Sequence, residues 1–197
     1  MKRMMIIAGL ALLATISAGA QEHTDYKLPE KPKRAAYVHY ADLDKGLWFA
    51  VQASVHTVFA YGSTDKATAL QGVELIAGYR FGEFFRLGGG VAIRHYLAPS
   101  DGFPIGKNKM MFGINALPVF LDLRGNIISQ ESRMAVPYWS FDAGYAVNEG
   151  LFLSPTVGVR IGRPRNDFIA GITYYMQKND ALNKIMHGFG LRIGFEF

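Results

Sequence analysis

From Leu47 to Phe197 the chain alternates between apolar and polar positions with period two, in eight separate runs. Side chains of a β-strand point alternately to opposite faces, so each run predicts a strand with one apolar face and one polar or glycine-rich face. The last run is the most regular. His187, Phe189, Leu191, Ile193, Phe195 and Phe197 share one face, and Gly188, Gly190, Arg192, Gly194 and Glu196 share the other. The first run sets Leu47, Phe49, Val51, Ala53, Val55, Thr57, Phe59 and Tyr61 against Gln52, Ser54 and His56.

The second opposes Val73, Leu75, Ala77, Tyr79 and Phe81 to Gly72, Glu74, Gly78 and Arg80. Gly82-Glu83-Phe84 predicts a tight turn into the third, where Phe85, Leu87, Val91 and Ile93 face away from Arg86, Gly88, Gly90 and Arg94. The fourth, about Met110 to Arg124, is clear only at Leu117, Val119, Leu121 and Leu123. It contains Pro118, which has no N–H to give a ladder and so predicts a bulge or local distortion. The fifth spans Pro137 to Val147, with Trp139, Phe141, Ala143 and Tyr145 opposite Ser140, Asp142 and Gly144. The sixth opposes Leu153, Val157, Val159 and Ile161 to Ser154, Thr156, Gly158 and Arg160. The seventh opposes Phe168, Ala170, Ile172, Tyr174 and Met176 to Gly171, Thr173, Tyr175 and Gln177.

Half of the chain is apolar, yet after the first twenty residues no stretch approaches 18 consecutive apolar positions, so a spanning helix is not expected. A chain that crosses lipid without helices must close its sheet, because only closure satisfies every backbone group there. The expectation is an all-β, closed, eight-stranded antiparallel up-and-down transmembrane barrel over residues 46–197. The apolar faces would turn outward and the glycines and charges inward. The rival is a secreted soluble barrel with the apolar face inward around a ligand. Repeated glycines on a water-facing strand would weaken it for no gain, whereas inside a narrow lumen they make room for long charged neighbours. Aromatics near strand ends (Tyr61, Tyr79, Phe81, Phe85, Trp139, Phe195, Phe197) match interfacial girdles.

Residues 1–20 have the form of a cleaved signal peptide: Lys2 and Arg3, an apolar core from Met4 to Ile16, then Ala18-Gly19-Ala20. Its removal takes two basic charges and no acids, lowering the formal net charge from +5 to +3, too mild to imply nucleic acid. Residues 21–45, with Lys27, Pro29, Lys31, Pro32, Lys33 and Arg34, read as a flexible periplasmic leader. No cysteine occurs, which removes disulfides and thiolate metal sites, and no cofactor is expected. An even strand number returns both ends of the barrel to the periplasm. Outer loops are then expected at 62–69, 98–109, 148–151 and 178–185, and inner turns at 82–84, 125–136 and 163–167. The long inner turn at 125–136 and the short outer one around Asn148-Glu149-Gly150 depart from the usual pattern.

With its signal peptide and alternating strands, the chain resembles the small outer-membrane β-barrel proteins of Gram-negative bacteria, the porin-like or OmpA-like barrels. The segments Leu117–Arg124 and Val136–Asp142 and the closing Gly194-Phe195-Glu196-Phe197 also carry the resemblance. It covers roughly residues 46–197 and implies an outer-membrane location. In that family the barrel-assembly machinery reads a terminal aromatic, and Phe197 matches that position. The fold hosts unrelated functions, so the resemblance implies no activity.

Candidate chemistry lies on the inward face. By parity Glu74, Asp122, Asp142 and Glu196 would meet Arg80, Arg86, Arg94, Arg124, Arg160 and Arg192, and charges in a narrow lumen must pair. The expected reading is a plugged polar lumen, with a structural or surface-interaction role carried by the outer loops. Six arginines to four acids leave an anion-leaning small-solute channel as an alternative. A lipid-modifying enzyme using Ser54 and His56 is a second alternative, though it would need their hydrogen-bonded contact and an orienting acid. The histidines show no metal-ligand spacing with a carboxylate. Loop lysines (Lys66, Lys107, Lys109, Lys178, Lys184), partly offset by Asp65, Asp101, Glu149 and Asp180, read first as solvated loop charge, with contact to lipopolysaccharide phosphates as the alternative. The loop 98–109 is the candidate tip for a surface partner.

Overall fold

The computed structural model describes residues 45–60, 67–97, 116–147, 149–163, 165–179 and 184–197. Eight strands occupy them: β1 (Gly46–Ala60), β2 (Ala67–Gly82), β3 (Phe85–Leu97), β4 (Leu117–Asn126), β5 (Ala135–Val147), β6 (Gly150–Arg163), β7 (Asn166–Asn179) and β8 (Lys184–Glu196). Each pairs antiparallel with the next, and β8 returns to β1 to close the barrel. The closing register runs from Ala50↔Glu196 to Ala60↔Met186. Beyond it Phe49 and Phe197 exchange both backbone hydrogen bonds, at 3.0 and 2.9 Å. Closure gives each of the eight strands two neighbours, which is what a lipid-exposed sheet needs.

The periodicity read from the sequence appears as an alternation of exposure along the strands, and its sense is inverted relative to a soluble protein. Leu191 is 65% exposed, Leu121 63% and Phe189 61%, while Arg86, Arg124, Arg160 and Asp122 are fully enclosed. A water-soluble fold does not leave its large apolar side chains outside and its arginines inside. The architecture is that of a transmembrane β-barrel.

Pro118 disturbs the sheet, but not as a bulge. Strands β3 and β4 pair from Arg86↔Arg124 to Val91↔Val119, and a single bridge, Arg94↔Ala116, continues the same register beyond a gap. The gap falls where an N–H at position 118 would have bonded β3, and proline has none. Toward β5 the pairing is continuous through Pro118↔Ala146. Pro155 leaves a similar gap between β6 and β7, where pairing skips from Leu153↔Met176 to Thr156↔Thr173 without a register change. There the Thr173 hydroxyl lies 3.2 Å from the Pro155 carbonyl and 3.0 Å from Ser154 Oγ. A true shift occurs at Arg80/Gly82, beside the β2–β3 turn.

Several expected connections are shorter than the sequence suggested, because the strands run on. Ala67 to Ala69 already belong to β2, Gly150 to β6, and the 125–136 turn contracts to 127–134. That segment folds back against the barrel. Glu83 of the β2–β3 turn accepts from Ser129 Oγ at 3.1 Å and from the Gln130 amide at 2.8 Å. Gln130 itself is buried, donating through Nε2 to Asp167 at 2.9 Å and to the Gly162 carbonyl at 3.3 Å. Gly162 has φ +146°, and a Cβ there would run into the Asn166 carbonyl, so this turn requires glycine. The 98–109 loop lies outside the described residues.

Candidate functional site: the barrel lumen

All ten charged residues assigned to the lumen by parity face inward and are buried. The register first sets like charges side by side. Arg80 pairs with Arg86, and Arg86 with Arg124, making a row of three arginines across β2, β3 and β4. Asp122 lies directly opposite Asp142. Neither arrangement is tolerable without compensation in a low-dielectric interior.

Glu196 compensates the arginine row from across the lumen. Its carboxylate accepts from Arg86 and, at 2.9 Å, from Arg160, with Arg124 at 3.5 Å and Arg80 at 3.7 Å. Arg124 is forked on Asp122 through two bonds of 2.6 Å, the bidentate geometry that suits a guanidinium. Its ring-like plane also stands 4.6 Å from the Trp48 ring centre. Arg192 reaches Asp142 at 2.6 Å, Glu74 at 3.6 Å and Ser154 Oγ at 3.2 Å, so each member of the aspartate pair has its own cation.

Two acids in the lumen were not foreseen. Asp167 was assigned to the 163–167 turn. It instead opens β7, pairs with Glu196, and sits 3.6 Å from Arg160 Nε. Glu149 was counted among solvated loop charges, and the structure corrects this. It is 2% exposed and accepts from Gln177 Nε2 at 2.9 Å. Burial, the largest influence on it, pushes its carboxyl above the ordinary range, against the hydrogen bond from Gln177 and the nearby Arg94. With these two, the buried arginines and buried acids among the described residues stand at six each. The cationic excess that favoured an anion path is gone.

The second correction concerns polarity. Apart from Glu149, the inward charges lie toward the end of the barrel that carries Gly46 and Glu196. Toward the other end it holds a hydrophobic core that includes Val58, Leu70, Tyr96, Phe120, Phe152, Tyr175 and Met186. Phe152 stands 6.0 Å from Phe120 and 6.2 Å from Tyr175, ring centre to ring centre. Arg94 marks the boundary: its guanidinium lies 4.1 Å from the Phe152 ring centre and 4.9 Å from that of Tyr175, and donates to Tyr175 Oη at 2.9 Å. Tyr175 in turn bonds Gln177, which bonds Glu149, so a polar chain runs from Arg94 through the apolar half to the β5–β6 turn.

Several inward glycines, Gly78, Gly144, Gly158 and Gly190 among them, let the backbone carbonyl of the neighbouring strand approach, and some also make room for rings. A Cβ on Gly90 would overlap the Phe120 ring, and one on Gly190 would press on His56. The expectation of charged neighbours holds at Gly72, which faces Arg94. His56 and Ser54 are both buried in the lumen, but neither ring nitrogen of His56 makes a hydrogen bond, so no Ser54–His56 pair forms. The nearest ring partner of His56 is Tyr175, at 5.5 Å.

No family model matches the sequence, and no curated protein does. Solved structures do. Neisserial surface protein A superposes with a TM-score of 0.51 at 12% identity, over 76% of this chain and 95% of that one. The chain shares its fold. Ail, the attachment invasion locus protein of Yersinia pestis, matches at 16% identity and TM-score 0.42, over 77% of this chain and 97% of that one. The N-terminal barrel domain of OprF from Pseudomonas aeruginosa matches at 14% and 0.40, over 75% and 97%.

Proposed function

We propose that this chain is an integral outer-membrane protein whose lumen is filled and whose outer connections carry its role, a structural or surface-interaction one. The observation behind this reading is the pairing inside the barrel. Six arginines and six acids share one narrow lumen, and its other half is packed with Phe120, Phe152, Tyr175 and Tyr96. An eight-stranded barrel leaves an interior that side chains can fill. Ion pairs buried this deep hold one another in place and leave neither sign free to attract a passing ion. Export through the signal peptide at residues 1–20 and insertion by the assembly machinery through Phe197 belong to the same reading. The loop 98–109 remains its candidate contact for a partner.

Conductance of the folded, detergent-extracted protein in a planar bilayer tests it, with a heat-dependent gel shift first confirming the fold. Silence across voltages is expected. Reproducible steps, altered by Arg86→Ala or Arg124→Ala and lost on unfolding, would replace the filled barrel with a selective pore.

A further inference from the structure

The outer wall is not smooth. Between β5 and β8 an apolar groove of about 440 Å³ is cut into the face that meets lipid, floored by Ala143 and edged by Leu151, Leu153, Met176 and Ile185, with Lys178 among its lining residues. The groove exists because Ala143 stands between two leucines in its cross-strand row, Leu121 on β4 and Leu153 on β6. Its position is toward the ends of β5, β6, β7 and β8 that carry the β5–β6 turn. Given the orientation of the proposed function, on which this inference rests, that is the outer-leaflet end.

Lys178 pairs with Ile185 and is exposed. On the same outward faces, one pair further along, Met176 lies opposite His187, and His187 Nδ1 is hydrogen-bonded to Tyr174 Oη. Diagonal neighbours of this kind stand about 7–8 Å apart, within reach of a lysine side chain. The wall thus offers an apolar slot with one cation, Lys178, in its lining, and a polar histidine–tyrosine pair on the neighbouring outward positions. A larger groove of about 630 Å³ at Ala77 and Gly89 has no charged residue in its lining, so it lacks that second element.

We infer that the β5–β8 groove is a specific site for a phosphorylated glycolipid of the outer leaflet. An acyl chain lies over Ala143 and a phosphate is held at Lys178. Of the two phosphate-bearing lipids the site could meet, the glycolipid is the one that outer-leaflet depth selects. A single lysine beside a phosphate changes retention by about fivefold.

The test uses the full barrel reconstituted in nanodiscs of phosphatidylcholine containing equal amounts of lipid A and phosphatidylglycerol, with lipids retained after mild extraction read by native mass spectrometry. Lipid A is expected to be retained preferentially. Lys178→Gln should lower that retention about fivefold without affecting the gel shift, and Ala143→Phe, which fills the slot, should abolish it. Equal retention of lipid A by parent and both variants overturns the site. Retention of phosphatidylglycerol in its place overturns the assignment to a glycolipid. A parent that enters no bilayer at all would refute the outer-membrane reading instead, so the two failures are separable.

Discussion

Glu196 is the residue on which the charged half of the lumen depends. It answers Arg86 and Arg160 directly, and Arg124 and Arg80 at longer range, from a position with no solvent exposure. Replacing both members of a buried pair with apolar groups can be nearly neutral, but removing one leaves the other charged and alone. Glu196→Gln is therefore expected to destabilise the barrel by about 3–5 kcal/mol, read as a drop in the urea midpoint for unfolding from lipid vesicles. An unchanged midpoint would mean that Asp167 and Asp122 suffice to hold the arginine row. Glu149 works in the opposite sense. Its folded-state pKa is raised above the ordinary 4.5 by burial, so its protonated form is the one the fold prefers. Its contribution is full below that ordinary value and is lost as pH climbs through the raised one. Glu149→Gln should remove this dependence. Unfolding midpoints of parent and variant are expected to diverge with rising pH, the variant becoming the more stable, whereas parallel curves would refute a strained carboxylate at the β5–β6 turn.

At the level of strands, alternation made the faces legible, and the exceptions explain themselves. Within β4 the run Leu117-Pro118-Val119-Phe120-Leu121 is apolar at both parities, so hydropathy could not say that Phe120 turns inward while Leu121 turns out. The same ambiguity hid Trp48 and Phe152, and although Tyr175 was placed on the inward face, the apolar half of the lumen was not anticipated. Asp167 and Glu149 were missed for another reason. Each lies where a strand meets a turn, and the two-residue rhythm that identifies inward positions has no purchase there. Gln130 is further from any pattern, since its burial depends on Glu83 anchoring the 127–134 segment from a different turn. Pro118 was legible as a defect but not as to its form, because whether a missing N–H forces a bulge depends on which neighbour it faces. It faces β3, where the ladder opens and the register survives. Pro118→Ala should supply the missing donor to Ala92 and add about 0.5–1.5 kcal/mol of stability. Hydrogen exchange checks this: the new amide, and those flanking the gap in β3, are expected to become protected. Rapid exchange there would show that the gap reflects strand splay and not the absent donor.

For the whole molecule the decisive property is the sense of its burial. A water-soluble barrel and a membrane barrel can share strand number and pairing order, and they differ in which face meets the surroundings. Here the outward band holds Val119, Leu121, Val157, Ile172, Phe189 and Leu191, each at least 60% exposed. Water penalises such a band and hydrocarbon does not. The inward face has no alternative use, since Arg86, Arg124 and Arg160 already have partners in Glu196, Asp122 and Asn126. A charge placed on the band separates the two environments. Leu121 sits within β4 between Gly89 on β3 and Ala143 on β5, so an arginine there has room and forms no steric clash with large side chains. In a lipid bilayer Leu121→Arg is expected to cost about 2–4 kcal/mol if position 121 lies near the midplane. In water the same change would be neutral or would improve solubility. The measurement is reversible unfolding of parent and variant from vesicles, with Lys178→Arg as a control at the strand end, where a cation is already present. A loss confined to Leu121→Arg follows from the apolar belt, and equal behaviour of the two variants would return the barrel to water.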